Sequence, residues 1–178
     1  LLAFGLAAGA MLLGADPESL VYSSSQFVKV PWAVWAGVAM FCVGVSLHFS
    51  APRNSLVWIL LVAFAAIAAQ RAAAAPFGAE ISGFFGMIVA VPASYLIQFR
   101  FRGPPSVVTL LPSFWLVVPG SLGLLSVTRM LSDRAAGLEG LITVVFVVTS
   151  VALGTLVGAS IYRFLSERFS WFGARIRQ

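Results

Sequence analysis

The chain alternates long apolar stretches with short polar or basic punctuation, the pattern of helices that cross a bilayer, where about 20 apolar residues span the hydrocarbon. Leu1–Gly14 opens directly on apolar residues. It reads as the end of a span that begins before residue 1, which would make the chain a fragment; a signal-peptide core is the weaker reading, since no basic region leads it. Gly5 and Gly9 have the GxxxG spacing that lets helices approach closely. Residues 15–30, from Asp16-Pro17-Glu18 through Ser23-Ser24-Ser25, form a polar connector.

Pro31-Trp32 opens a second span running to about Ser50, with Trp32 and Trp35 suited to a membrane interface. The turn Ala51–Ser55 joins it, as an antiparallel hairpin, to a third span. That span covers Leu56–Ala69 and extends towards Ala75, where Pro76-Phe77-Gly78 breaks it. The fourth, Glu80–Phe99, holds Pro92 in its middle and ends in the basic turn Arg100–Pro105. A polar loop, Ser132–Gly140, precedes the sixth span, Leu141–Phe164, which carries a second GxxxG at Gly154 and Gly158. Residues 165–178 interleave aromatics with Arg168, Arg175 and Arg177, as an interfacial anchor would.

The fifth span, about Ser106–Leu131, is the exception. Pro112 and then Pro119-Gly120 interrupt it, removing amide donors and adding backbone freedom. In hydrocarbon the carbonyls so released need partners, and a broken helix persists only inside protein or beside a watery cavity. Such helices line the sites of many transporters, although a kinked structural helix has the same signature.

Composition sharpens this picture. The chain of 178 residues is 60% hydrophobic and 10% charged, far below the roughly 25% charge of soluble domains, so it is expected to be an integral membrane protein. The expected fold is all-α: a polytopic helical bundle of about six spans, the first truncated, one broken at Pro119-Gly120, with an amphipathic C-terminal tail. The net charge of +5 does not indicate nucleic acid, because the basic residues flank apolar segments rather than forming one face. With the tail cytoplasmic, seven arginines (53, 100, 102, 163, 168, 175, 177) fall inside, and Lys29, Arg71, Arg129 and Arg134 fall outside. That bias orients both ends towards the cytoplasm and makes residues 15–30 an extracytoplasmic connector.

Candidate chemistry is sparse. One cysteine, Cys42, and one histidine, His48, leave no disulfide framework and no expected metal site or cofactor. No hydrolase, metalloprotease or phosphate-loop motif occurs, so an enzyme is not expected. Ionisable residues near spans are functional suspects. Arg129 follows the break and could attract an anion, or snorkel to the headgroups. Glu80 could couple protons, or simply complement a helix N-terminus. His48 and Gln70-Arg71 suit interfacial roles. Ser113, Ser121, Ser126 and Thr128 flank the break; they could bind solute or satisfy released carbonyls. Thr109 and Thr143 are weaker candidates, and Thr149, Ser150 and Thr155 would matter only if the sixth span faces a cavity. Phe114 and Trp115 could shape a pocket wall or pack against neighbours.

With Leu116-Val-Val-Pro-Gly120 in a long span after a basic turn, and a Gly-rich apolar span next, residues 31–164 resemble the C-terminal membrane domain of the threonine/serine exporter family. The resemblance implies a five-span membrane domain. Residues 1–14 would be the last span of a preceding half, in the same or a separate chain. It implies a module of a secondary transporter in the bacterial cytoplasmic (inner) membrane, exporting threonine or serine by antiport with protons. A homo-oligomer is compatible with it. The site would use Pro119, Gly120, Ser113, Ser121 and Arg129 for the solute, with Glu80 for the proton. A dicarboxylate (succinate-like) exporter and a non-transporting structural subunit are the alternatives; few cationic partners for a dianion lie within the spans.

Overall fold

The computed structural model describes residues 32–118 and 134–168, together with Gly123 and Ser126. Five helices make up the described part: α1 (Ala33–His48), α2 (Arg53–Phe77), α3 (Ala79–Arg100), α4 (Ser106–Val117) and α5 (Arg134–Arg168). No strand occurs among the described residues. Three of the helices, α2, α3 and α5, are long and apolar enough to cross a membrane, and α1 and α4 are shorter apolar helices.

The surface agrees with a lipid surround. Large apolar side chains such as Met40, Leu61, Val107, Phe146 and Leu156 are exposed. The buried polar residues among those described are all serines or threonines, and every fully buried side-chain oxygen or nitrogen there has a hydrogen-bond partner. Apolar groups outside and small, satisfied hydroxyls inside are what a hydrocarbon solvent permits. The chain is a membrane protein.

Helix ends follow local chemistry. The α1 chain reverses at Ser50, whose φ of 50° is left-handed, while the Ala51 amide returns to the Ser46 carbonyl at 2.8 Å. This is a Schellman-type stop with serine in the glycine position. Pro52 precedes α2 and Pro105 precedes α4, both in extended conformation. Only Gly78 separates α2 from α3; its φ of 85° and ψ of 160° belong to a region open essentially to glycine.

Several expected boundaries change. The six expected spans are not supported: α1 has 16 residues and α4 only 12, roughly 24 and 18 Å of helix against about 30 Å of hydrocarbon. Residues 1–14, the connector 15–30 and the tail beyond Arg168 lie outside the described residues. The third span does not stop before Pro76, because a proline in the last turn removes one hydrogen bond only; α2 runs through it to Phe77. Pro92 leaves α3 unbroken. The expected loop Ser132–Gly140 is helical from Arg134, since Ala135, Ala136, Leu138 and Glu139 are good helix formers that outweigh the two glycines.

Packing fixes the directions. Trp58 meets Phe101, and a Cβ on Gly86 would lie 3.2 Å from the Ala66 carbonyl, so α2 and α3 are antiparallel. Along α5, Ser150, Gly154, Gly158 and Tyr162 meet Ile81, Phe84, Met87 and Tyr95 in the same order, so α3 and α5 are parallel. This is the most extensive interface in the bundle, and α3 also packs on α2 and α4. Alternation puts Arg53, Arg100, Arg102, Arg163 and Arg168 towards one end and Glu80 and Glu139 towards the other.

Candidate functional site

The helix with the break is α4. It starts at Pro105 on the arginine-rich end, runs through Pro112 without interruption and stops at Val117. Val118 is extended, with φ −71° and ψ 130°, as a residue before proline is forced to be. Pro119, Gly120, Ser121, Thr128 and Arg129 lie outside the described residues.

Both ends of α4 are pinned. At its start the Gln98 Oε1 of α3 accepts the Ser106 amide at 2.8 Å, a cap supplied by another helix for a donor that has no partner of its own. At its end Val117 is buried against Gly83 and Gly86 of α3, whose missing side chains make the groove that receives it. The end of α4 therefore lies only one to two turns short of the start of α3.

Between these anchors the packing is open on two sides. A cavity of about 250 Å³ lies between α1, the Phe49–Pro52 turn, α2 and α4, with Val45, Ser46, Ile59, Val108, Leu111 and Pro112 among its walls. A second, of about 130 Å³, separates α4 from α3 and α5; Met87, Leu110, Phe114 and Thr155 line it. Val107 and Leu111 border both.

Ser113 is fully buried on α4, and its hydroxyl donates to the Thr109 carbonyl at 3.2 Å; Thr109 is equally buried and donates to the Ser106 carbonyl at 3.1 Å. Hydroxyls used in this way keep their lone pairs, so they can accept but no longer donate. Glu80 is exposed in the first turn of α3, where its charge complements the helix dipole. Ser113 and Glu80 are not brought together. Four residues separate Ser113 from Val117, and three separate Glu80 from Gly83, which puts them roughly 10 Å apart along the bundle.

The other candidates divide cleanly. Thr155 faces the smaller cavity, and its hydroxyl donates to the Val151 carbonyl at 2.8 Å. Ser150 instead bridges helices: it donates to the Ile81 carbonyl and accepts the Phe84 amide, each at 3.1 Å. Thr143 and Thr149 bond carbonyls of their own helix. Phe114 borders the smaller cavity, and Trp115 lies against Phe49, with ring centroids 5.8 Å apart. Ser126 is buried beside Gly140. His48 and Arg71 are exposed near opposite ends. Among the described residues no three His, Cys, Asp or Glu side chains gather where they could hold a metal.

Sequence reasoning missed Gln98. A glutamine just before the basic turn was the available signal, but only the fold brings it to the α4 amide. It also missed the buried Ser46, Ser55, Ser82 and Ser94. Compared with protein-family models, curated proteins and solved structures, the chain matches none.

Proposed function

We propose that this chain is a module of a secondary transporter that exports a small polar amino acid, threonine or serine, by alternating access driven by the proton motive force. The observation that carries the reading is α4. It is an apolar helix of about 18 Å that stops before Pro119-Gly120 inside a bundle of longer helices, with a cavity of about 130 Å³ between its middle and α3 and α5. A helix that ends within hydrocarbon leaves backbone donors and acceptors that a zwitterion can use.

In this reading the backbone at Pro119-Gly120 meets the ammonium and carboxylate of the solute. Ser113 and Ser121 serve its hydroxyl, Arg129 attracts the carboxylate, and Glu80 takes part in proton coupling from the end where it is exposed. The arginine-rich end lies in the cytoplasm of a bacterium, in keeping with the positive-inside bias. A preceding membrane half completes the site.

Liposomes holding the protein with its preceding half, loaded with labelled threonine or succinate and a pH dye, provide the test. Threonine efflux coupled to proton movement supports the proposal. Succinate efflux alone replaces it with dicarboxylate export, and no flux of either solute points to a structural subunit. Gly120→Leu should insert normally and lose export; wild-type export by that variant would make the break structural only.

A further inference from the structure

The larger cavity beside α4 does not have the chemistry of a threonine site. Its walls are almost wholly apolar, and the Ser46 hydroxyl that borders it already donates to the Cys42 carbonyl at 2.7 Å. A zwitterion there would lose its hydration with few polar groups to replace it. About 250 Å³ of apolar space in a membrane protein suits a hydrocarbon chain, and the bilayer around the bundle supplies one.

The charge beside the cavity narrows the choice. One wall is the Ser50-Ala51-Pro52 turn, and the next residue, Arg53, is exposed at the start of α2. Arg53 belongs to the end of the bundle that carries five arginines, among the described residues, against one acid, Glu167. An amphiphile with an apolar tail and an anionic head matches the cavity and the arginine together.

We propose that this cavity is a binding site for one acyl chain of an anionic phospholipid, whose head group pairs with Arg53. The site needs no solute, so it stands whether or not the chain carries threonine, even though Val107 and Leu111 border both cavities. An acyl chain seated against Val108, Leu111 and Pro112 occupies the space into which α4 could otherwise lean.

The test reconstitutes the full chain in phosphatidylcholine vesicles containing a trace of phospholipid with a photoactivatable diazirine in its acyl chain, read by peptide mass spectrometry. Labelling at Val45, Val108 and Leu111 should saturate and be competed about five-fold better by unlabelled phosphatidylglycerol than by phosphatidylcholine. Labelling at Leu153 and Leu156, exposed on α5, should rise linearly with probe and show no such preference. Leu111→Trp, which fills the cavity, should reduce the Val45 label about five-fold and leave the α5 label unchanged. Should that variant fail to insert, the exposed Arg53→Gln decides alone: it should abolish the preference for the anionic competitor. The proposal is overturned if cavity and α5 labels scale together, if the preference survives Arg53→Gln, or if Val45 and Leu111 take no label.

Discussion

The α3–α5 interface and the surroundings of α4 are opposite solutions to packing in a bilayer. Between α3 and α5 the backbones touch. A Cβ on Gly154 would fall inside the Phe84 backbone, and one on Gly158 would sit 3.1 Å from both the Met87 carbonyl oxygen and the Val91 Cβ. Ser150 adds two hydrogen bonds between the helices, and the rings of Tyr95, Phe99 and Tyr162 stack further along. Around α4 only the ends are fixed, at Gln98 and at the Gly83–Gly86 groove, and the middle borders two cavities. Where lipid removes any hydrophobic drive between helices, stability comes from close backbone contact and hydrogen bonds, so the first region is built to stay still. The second has the room that a moving or solute-binding element requires.

This contrast can be broken by substitution. Gly154→Leu should have the largest effect, a loss of about 3 kcal/mol or more or failure to insert, because backbone atoms cannot move aside; equilibrium unfolding in bicelles measures it. If that variant unfolds like wild type, the close contact is not what holds the pair. Gly158→Ala should cost less, about 2 kcal/mol, since its nearest contacts, the Met87 carbonyl oxygen and the Val91 Cβ, lie at 3.1 Å and need give only a few tenths of an ångström.

The α4 side should respond differently. Leu111→Ala should cost about 1 kcal/mol in the same assay, below the 2–5 kcal/mol usual for a closed core, because Leu111 already borders empty space. A cost of about 4 kcal/mol would show the region to be tightly packed after all. Ser150→Ala should lose about 0.6 kcal/mol, the average for a hydrogen bond between membrane helices. Smallest of all, Thr155→Val should change stability by less than about 0.5 kcal/mol, as its hydroxyl serves only its own helix. If threonine crosses beside α5, that same variant should nonetheless slow efflux several-fold, and unchanged efflux would remove the smaller cavity from the path.

Much of the fold was legible because its rules are local. The apolar lengths of α2, α3 and α5, the stop before Pro119 and the short turn between α1 and α2 follow from composition, proline and glycine. Local reading failed where it ignored neighbours or overrated punctuation. Pro76 and Pro92 were tolerated, one in a last turn and the other with α5 packed against it, and the short loop signals after Ser132 gave way to helix formers. The site was less legible still. Ser113 was found because it flanks the break, but Gln98 could not be, since nothing in its own segment names the amide that it caps eight residues on.

By itself the sequence determined a membrane protein of apolar helices, the charge difference between its ends, and the place where the α4 helix must stop. It also supplied the GxxxG spacing without its partner. Only the tertiary structure decided that Gly154 and Gly158 press on α3, more than 60 residues away, that Ser150 bridges helices while Thr155 faces open space, and that Glu80 stands exposed and apart from Ser113. The physical reason is range. Hydropathy, proline and glycine act within a few residues, whereas close contact, cavities and burial depend on which surfaces distant segments bring together.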